Sequence, residues 1–201
     1  MNNTTDSFEN IELPFSGIHY KLPNLWFKHL NPHLYASKPI NYLEIGTFYG
    51  ANAIYFSKTY GIHPDSKIYC IDPWIDYDDY GEYKGNIDKI YNVFLDNVKK
   101  NQLENKFQIY RNFSHIILPQ LTDNFFDIIY IDGNHEPEYV LEDAVLAFRK
   151  LKNGGYMIFD DYTHGGDMGT KKGIDAFLNS YFKRYIYVTL QNDQIYIQKI
   201  R

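Results

Sequence analysis

The chain has 201 residues, of which 44% are hydrophobic and 22% are charged, a composition typical of a globular domain. This length is sufficient for one domain that buries a single hydrophobic core. The net charge of −5 argues against binding to nucleic acid or to an anionic membrane surface, because both attract basic proteins.

Residues 1–39 are predicted to form an N-terminal arm or lid that contributes to the substrate site. Within them, residues 24–35 could form a short helix, which Pro32 would weaken in its second half. The first residues have neither a basic start nor the apolar run of a secretory signal, and no segment is apolar over a membrane-spanning length. Together with a single cysteine, Cys70, these features predict a cytoplasmic protein.

Short apolar runs alternate with helical stretches from residue 40 onwards, and residues 40–201 are predicted to be one domain. The predicted strands are residues 40–45, 67–71, 107–110, 125–131, 156–159, 185–190 and 194–200, with Asn192-Asp193 as the turn of a closing hairpin. The predicted helices are residues 51–60, 86–101, 114–121, 138–151 and about 170–182. This alternation predicts an α/β fold with a doubly wound, mostly parallel sheet and an antiparallel C-terminal strand.

The stretch 138–151 has the clearest helical pattern in the chain. Its apolar residues recur at a spacing of three to four positions, as they do on the buried face of a helix. Gly154-Gly155 follow directly and are predicted to end this helix.

The first predicted strand runs into Glu44-Ile-Gly46-Thr-Phe-Tyr-Gly50-Ala-Asn52. Gly46 would let the backbone approach a ligand closely, and Gly50 would let the next helix start tightly against the strand. Asn52 is a candidate cap for that helix. Glu44 occupies a position where a dinucleotide-binding turn requires glycine, and it would repel a diphosphate but attract a cationic ligand. The alternative interpretation is an ordinary strand–turn–helix corner.

The second predicted strand ends in Asp72-Pro73-Trp74. An acidic residue at this point can accept hydrogen bonds from both hydroxyls of a ribose. Alternatively, Asp72 only starts a turn before Pro73, as Asp-Pro pairs often do.

Carboxylates follow the fourth and the fifth predicted strands. The fourth ends in Asp132-Gly133-Asn134-His135 and the fifth in Asp160-Asp161. If these strands are neighbours, the three carboxylates would raise one another's pKa unless a positive charge offsets them. Oxygen ligands of this kind suit Mg²⁺ or another hard divalent cation. In the alternative interpretation, Asp132 and Asp161 cap helices and shape loops.

The pattern E-x-G-x-x-x-G, followed one strand later by a strand-end acid, resembles the class I methyltransferases that use S-adenosylmethionine, and the resemblance covers about residues 40–200. It implies a Rossmann-like, seven-stranded sheet in which Glu44 and Gly46 face the amino-acid part of the cofactor. It further implies that Asp72 binds the ribose and that Ser114 lies where the family contacts adenine. The other candidate cofactor-binding residues are Phe48, Gly50, Asn52 and Asp132.

The string YIDGNHEPEYVLEDAVLAFRKLKNGGYMIFDDY resembles the metal-dependent branch of the O-methyltransferases. This branch includes catechol-type enzymes and enzymes that methylate sugar hydroxyls in antibiotics. Its members hold Mg²⁺ with an aspartate after strand four and an acid pair after strand five, which implies Asp132, Asp160 and Asp161 as metal ligands here.

A metal at this point would lower the pKa of an acceptor hydroxyl, and a base must then take the proton. His135 is the candidate catalytic base, because a neutral imidazole suits this task near pH 7. Catechol-type relatives have a lysine at the equivalent position, and several sugar-modifying relatives have an aspartate where this chain has Asn134. These departures leave the base open, with His164 as the rival and a hydrogen-bonded loop role as the alternative for either histidine.

The acceptor is predicted to be a small molecule with a hydroxyl group, and a sugar or nucleotide-sugar is favoured because a vicinal diol could bring two oxygens to the metal. Trp26, Phe27 and the insertion at residues 73–85 are candidates for binding it. Phe48, Trp74 and Tyr162 are the candidates for lining a water-free slot around the sulfonium sulfur of S-adenosylmethionine. No nucleic-acid or membrane partner is expected, and a homo-oligomer is left open.

Three other functions compete with this magnesium-dependent O-methyltransferase. A catechol- or phenol-type enzyme would share the whole site. A dinucleotide-dependent oxidoreductase is disfavoured by Glu44, and a non-catalytic nucleotide-binding or assembly protein could keep the fold alone. The three aspartates argue for activity, because a binding module would have no use for them.

Overall fold

The computed structural model describes residues 11–18, 25–76, 83–166 and 169–201. Its strands are β1 (Asn41–Ile45), β2 (Lys67–Asp72), β3 (Phe107–Arg111), β4 (Phe126–Ile131), β5 (Leu151–Phe159), β6 (Tyr185–Gln191) and β7 (Gln194–Lys199). Its helices are α1 (Pro32–Ala36), α2 (Ala51–Thr59), α3 (Ile87–Lys100), α4 (Ser114–Ile117), α5 (Pro137–Lys150) and α6 (Thr170–Ser180), and a 3₁₀ turn (Leu118–Gln120) follows α4.

The strands form one seven-stranded sheet in the order β3-β2-β1-β4-β5-β7-β6. Strands β1 to β5 are parallel, and β7 pairs antiparallel with β5 on one side and with β6 on the other. The predicted doubly wound sheet with an antiparallel C-terminal strand is therefore confirmed. Because the strand order reverses between β1 and β4, their carboxyl ends form the crevice in which such sheets bind ligands.

The closing hairpin has the predicted turn. Asn192 and Asp193 have φ angles of 52° and 62°, so both lie in the left-handed region that a two-residue type I′ turn requires. Asparagine and aspartate tolerate this region better than most residues, which explains why the sequence marks the turn clearly.

The helix predicted over 138–151 is confirmed to within one residue at each end, but the role predicted for the two glycines that follow it is wrong. Helix α5 stops at Lys150, and Leu151 is already extended (φ −72°, ψ 134°) because it pairs with Phe126 of β4. The two glycines lie inside β5, where Gly154 has a φ of +81° and a Cβ on Gly155 would come within 2.9 Å of the Asp127 carbonyl oxygen. The glycines thus shape the start of a strand rather than the end of a helix.

Pro32 starts a helix, and the weakening predicted for it does not occur. It is the first residue of α1, and the Asn31 side chain accepts a hydrogen bond of 3.0 Å from the His33 backbone N–H. At the first position of a helix, proline removes only an N–H group that would have no partner within the helix.

Trp26 and Phe27 are core residues, so the acceptor-binding role predicted for them does not agree with their burial. Trp26 is fully buried, and its ring lies 5.3 Å from that of Tyr130 and 6.4 Å from that of Tyr42. The helices on the opposite face of the sheet, α5 and α6, cover a second apolar cluster.

Residues 11–18 of the N-terminal segment pack against α3 and the residue that follows it. The Ser16 backbone N–H donates to the Asn97 side chain (2.9 Å), and the Asn101 side chain donates to the Pro14 carbonyl oxygen (2.9 Å). Residues 1–10 and 19–24 of the predicted arm lie outside the described residues, and a lid function stays a prediction.

Within the described ranges, no helix combines the length and the apolar character that crossing a membrane would require.

Candidate active site

Backbone hydrogen bonds tie the tips of four neighbouring strands together. Gly46 donates to the Ile71 carbonyl (2.9 Å), Asp132 donates to the Ile45 carbonyl (2.9 Å), and Asp160 donates to the Ile131 carbonyl (3.0 Å). The residues that follow β1, β2, β4 and β5 therefore hold fixed positions around the point where the strand order reverses. Most of the site residues predicted from the sequence lie here.

Neither Gly46 nor Gly50, the two glycines after β1, has room for a side chain. Gly46 has a φ of +82°, and a Cβ on it would lie 1.8 Å from the carbonyl oxygen of Asp132. Gly50 also has a φ of +82°, and a Cβ on it would lie 2.4 Å from the ring of Phe94 in α3. The close approach that the sequence predicts for a ligand at Gly46 is made here by the backbone of the β4 tip.

Glu44 is a buried carboxyl group at the tip of β1. It is 1% exposed, and the Tyr42 hydroxyl donates a hydrogen bond of 2.7 Å to its Oε2 atom. Burial raises the pKa of Glu44 to about 8, because a low-dielectric environment disfavours the charged form. A positive ligand group beside Glu44 would favour its ionised form, which fits the cationic ligand predicted from the sequence.

Asp72 holds the turn that follows β1. Its Oδ2 atom accepts hydrogen bonds from the backbone N–H groups of Thr47 (2.9 Å) and Phe48 (2.8 Å). Its Oδ1 atom accepts one from Trp74 (2.8 Å), which is the local turn proposed as the alternative to ribose binding. An ionised carboxylate has about four acceptor positions, so a ribose hydroxyl would have to share Asp72 with these three bonds.

Two buried polar atoms near this turn have no hydrogen-bond partner among the described residues, namely the Thr47 hydroxyl oxygen and the Asn52 side-chain oxygen. Such an atom is destabilising unless a ligand or water satisfies it. The predicted capping role of Asn52 is wrong, because the N-cap of α2 is Gly50 and no side chain caps it. Thr47 was not singled out from the sequence, where threonine in a turn carries no distinctive signal.

The three aspartates at the β4 and β5 tips influence one another. Burial raises the pKa of Asp132 well above its usual value, and the negative charges of Asp160 and Asp161 raise it further. Burial also raises the pKa of Asp160, and the charge of Asp161 adds to this effect. By contrast, a hydrogen bond from His135 lowers the pKa of Asp161.

Asp160 and Asp161 have different side-chain partners although they are adjacent in the chain. The Tyr130 hydroxyl donates a hydrogen bond to Asp160. Asp161 Oδ2 lies 3.2 Å from His135 Nε2. In the described part of the chain, the three potential metal ligands whose atoms lie within 4.8 Å of one another are His135, Asp161 and His164. This group shares Asp161 with the predicted metal site but contains neither Asp132 nor Asp160.

The two histidines that compete as candidate bases are neighbours. The ring centroids of His135 and His164 are 4.2 Å apart. Asp161, which lies three residues before His164 in the loop after β5, has a φ of +51°. This conformation is uncommon for residues other than glycine and occurs frequently at functional sites. The Asp161 carbonyl oxygen accepts hydrogen bonds from the His164 backbone N–H and from the Thr170 hydroxyl, which fix this conformation.

Asn134 has a structural role in the loop after β4. Its side-chain oxygen accepts a hydrogen bond of 2.7 Å from the Glu136 backbone N–H, which shapes the turn into α5. An aspartate oxygen could accept the same bond, so this contact does not explain why the chain has asparagine here.

The aromatic residues predicted to line a slot differ in their surroundings. Trp74 is buried, stacks on Phe94 at 5.1 Å and donates a hydrogen bond of 2.9 Å to the Phe48 carbonyl, so it supports the turn and does not line a slot. Phe48 is half-buried beside Tyr83 at 5.0 Å. The Tyr162 hydroxyl donates to Asp175 (2.9 Å). Residues 77–82 of the predicted acceptor-binding insertion lie outside the described residues.

A hydrogen-bonded chain links the aspartates to the core. Trp26 donates to the Gln194 side-chain oxygen (3.1 Å), the Gln194 amide lies 3.4 Å from the Tyr130 hydroxyl, and that hydroxyl donates to Asp160. Sequence reasoning missed Gln194 and Tyr130, although Tyr130 lies two positions before Asp132 and therefore on the same face of β4.

A family model described as a methyltransferase domain matches residues 43–162, which is more than half of the chain and extends from within β1 to just after β5. The chain belongs to this methyltransferase family. The predicted resemblance to class I S-adenosylmethionine-dependent methyltransferases is thereby confirmed.

The chain is similar in sequence to one protein over part of its length, and it is similar in fold to solved methyltransferase structures. An uncharacterised protein of Acanthamoeba polyphaga mimivirus is 38% identical over 78 residues, which cover 33% of this chain and about a third (34%) of the length of that relative. The O-methyltransferase from Bacillus cereus, solved with S-adenosylhomocysteine, has a TM-score of 0.66 at 16% identity, with 98% of this chain and 88% of that chain covered. MycE from the mycinamycin biosynthetic pathway, solved with Mg, S-adenosylhomocysteine and mycinamycin VI, has a TM-score of 0.61 at 15% identity, with 98% of this chain and 53% of that chain covered.

Glu44→Gln should stabilise the ligand-free methyltransferase at alkaline pH. The pKa of Glu44 is about 8 in the folded state and about 4.5 in the unfolded state, so the folded protein binds more protons between these values and wild-type stability falls as pH rises through them. Glutamine can still accept the Tyr42 hydrogen bond, and it does not ionise. The stability of the variant should therefore not fall over this pH range. Melting temperatures should be equal near pH 4 and should separate progressively up to pH 9, with the variant higher.

The matched control is Glu104→Gln, which removes the same charge from an exposed position. It should follow the wild-type profile. A Glu44→Gln profile that also follows wild type would show that the Glu44 carboxyl group ionises normally.

Proposed function

We propose that this methyltransferase transfers a methyl group from S-adenosylmethionine to a hydroxyl group of a small acceptor, with a divalent cation at the β4 and β5 tips. The observation that carries the proposal is the set of mutually repelling carboxylates, Asp132, Asp160 and Asp161, next to the turn after β1. This arrangement suits a hard cation beside a cationic methyl donor.

The turn after β1 fits the amino-acid part of the methyl donor. Thr47 and Asn52 each offer a buried oxygen without a partner, and Glu44 is a buried acid that a nearby positive charge would ionise. S-adenosylmethionine carries an ammonium and a sulfonium group, which supply such charge. The solved relatives from Bacillus cereus and the mycinamycin pathway hold the demethylated product, in line with this proposal.

The predicted metal ligands also fit in their chemistry. A cation that binds between carboxylates reduces the repulsion by which they raise one another's pKa. Oxygen donors also suit Mg²⁺. The metal would be held by Asp132, Asp160 and Asp161, and when bound it would supply Lewis-acid activation of the acceptor hydroxyl. The relative MycE was solved with Mg.

His135 is proposed to take the proton from the acceptor hydroxyl. Proton uptake makes its imidazole positive, and the Asp161 carboxylate 3.2 Å from Nε2 stabilises that charge and orients the ring. The transfer also requires the oxygen, the methyl carbon and the sulfur to lie nearly in line, and bound reactants gain much of their rate from such positioning.

A sugar or nucleotide-sugar is the proposed class of acceptor. Residues 73–85 alternate acids with tyrosines, a composition that can hydrogen-bond hydroxyl groups and stack on sugar faces. Because Trp26 and Phe27 are buried in the core, acceptor contacts are assigned to this insertion and not to them. The net charge of −5 also favours a small molecule over an anionic polymer.

Asp160→Asn should weaken divalent-cation binding by at least about tenfold while affinity for S-adenosylhomocysteine stays within a few fold. The substitution removes one negative ligand but keeps its size. The measurements are Mn²⁺ binding by electron paramagnetic resonance and Mg²⁺ binding by calorimetry. In wild-type protein treated with EDTA, methyl transfer should be lost.

The control is Asp65→Asn, an aspartate that is 79% exposed and far from the strand tips in the fold. Full activity after EDTA treatment would contradict the proposed metal. Tight Zn²⁺ binding without Mg²⁺ or Mn²⁺ binding would instead assign the metal to the group His135, Asp161 and His164.

His135→Ala should reduce the rate of methyl transfer by roughly 10² to 10⁴-fold, the usual contribution of a general base. The acidic limb of the pH–rate profile should disappear with it, because the group that must lose its proton is gone. His33→Ala, at an exposed position in α1, serves as the control. If the limb persists in His135→Ala, the base is not His135, and the same measurement on His164→Ala follows.

A further inference from the structure

A buried glutamine, Gln194, lies beside Asp160 on the neighbouring strand of the sheet. Strands β5 and β7 are antiparallel, and Phe159 pairs with Ile195, so the residue after Phe159 lies opposite the residue before Ile195. Gln194 is fully buried, and a buried side-chain amide is destabilising unless its oxygen and its nitrogen both have hydrogen-bond partners. The partners of Gln194 therefore indicate what it does next to a candidate metal ligand.

Two donors on the core side determine the direction of the Gln194 amide. Its Oε1 atom accepts hydrogen bonds from the Trp26 indole (3.1 Å) and from the Tyr196 hydroxyl (2.7 Å). An indole N–H can only donate, so a flipped amide would place its own N–H groups against that donor. The Gln194 nitrogen, which carries two hydrogens, therefore points toward the Tyr130 hydroxyl, 3.4 Å away.

This direction leaves the Tyr130 hydroxyl one role toward Asp160. A phenol hydroxyl has a single hydrogen, and because its oxygen accepts from Gln194, that hydrogen is directed to the Oδ2 atom of Asp160. Tyr130 is fully buried, and its ring packs 5.3 Å from that of Trp26, so the hydroxyl stays in place if the carboxylate turns. Hydrogen bonds in such a chain polarise and strengthen one another. One oxygen of Asp160 is thus engaged by the core.

A carboxylate can bind a cation through one oxygen or through both, and this choice affects which cation it prefers. Ca²⁺ is large, accepts many oxygen ligands in flexible geometry and often binds both oxygens of one carboxylate. The smaller Mg²⁺ demands near-octahedral geometry, which the narrow angle between the two oxygens of one carboxylate does not fit. Because the Tyr130 hydrogen competes with any cation for Oδ2 of Asp160, this arrangement disfavours Ca²⁺ more than Mg²⁺.

We propose that Tyr130 is a positioning residue that restricts Asp160 to one-oxygen ligation of the divalent cation, and so makes the site select Mg²⁺ over Ca²⁺. Gln194 and Trp26 act through Tyr130, because they hold its hydrogen toward the carboxylate. This inference rests on the proposed function, in which Asp160 is a metal ligand. It gives a role to a buried hydrogen-bonded chain that the methyl transfer itself does not use.

The test is displacement of Mn²⁺ by Mg²⁺ and by Ca²⁺ from the full chain with S-adenosylhomocysteine bound, followed by electron paramagnetic resonance. Wild type should bind Mg²⁺ more tightly than Ca²⁺ by at least about tenfold, the order of magnitude of one hydrogen bond to a charged group. Tyr130→Phe keeps the ring and removes the hydroxyl. It should reduce this preference to about threefold or less, because both oxygens of Asp160 are then available to Ca²⁺. General damage to the site would weaken the binding of both ions and leave their ratio unchanged.

Tyr60→Phe is the matched control. The Tyr60 hydroxyl is buried in the same apolar cluster as Tyr130 but donates to the Leu30 carbonyl (2.9 Å), so the variant should keep the wild-type preference. Gln194→Met removes the amide that holds the Tyr130 oxygen and should lower the preference by about threefold, the order of magnitude of one neutral hydrogen bond. If Tyr130→Phe does not fold, the Gln194→Met result decides.

The outcomes separate this inference from the proposed function. Absence of Mn²⁺ binding in wild type would overturn the proposed metal and this inference with it. Mn²⁺ binding together with equal affinities for Mg²⁺ and Ca²⁺ would overturn the inference alone. The inference is also overturned if folded Tyr130→Phe, or Gln194→Met in its place, keeps the wild-type preference, or if Tyr60→Phe loses the preference to the same extent.

Discussion

The repulsion between buried carboxylates at the β4 and β5 tips is the constraint on which the site depends. Asp132 and Asp160 cannot move apart, because backbone hydrogen bonds join each to the neighbouring strand, Asp132 to Ile45 (2.9 Å) and Asp160 to Ile131 (3.0 Å). The parallel sheet therefore holds like charges together in a buried place, which raises the pKa of both acids. Such an arrangement is least stable without a positive partner and gains most when one binds.

Much of the fold could be predicted from the sequence because its strands are buried on both faces and so appear as short apolar runs. The errors lie where a distant contact overrides a local signal. Gly154-Gly155 resemble a helix end, yet pairing of Leu151 with Phe126 starts β5 earlier. Trp26 looks like an accessible aromatic residue in a polar arm, but the space it fills is created by β1, α2 and β4 together.

The positions of the site residues could be predicted because the carboxyl ends of parallel strands meet at one edge, but their partners could not. Asp72 was expected to face a ligand, and three backbone N–H groups engage it. Asp161 was expected to join the other aspartates, and it lies against His135. Which partner a side chain reaches depends on its direction relative to other elements, and spacing along one strand carries no such information.

Asp160 and Asp161 show how two identical neighbours acquire different roles. Asp160 points toward Tyr130, whose hydroxyl is connected through Gln194 to the buried indole of Trp26. Asp161 points toward the loop histidines and is held by Thr170. One carboxylate is thus fixed by the core and the other by the loops after β4 and β5. Trp26, although it belongs to the N-terminal segment, is thus connected to Asp160 through the core.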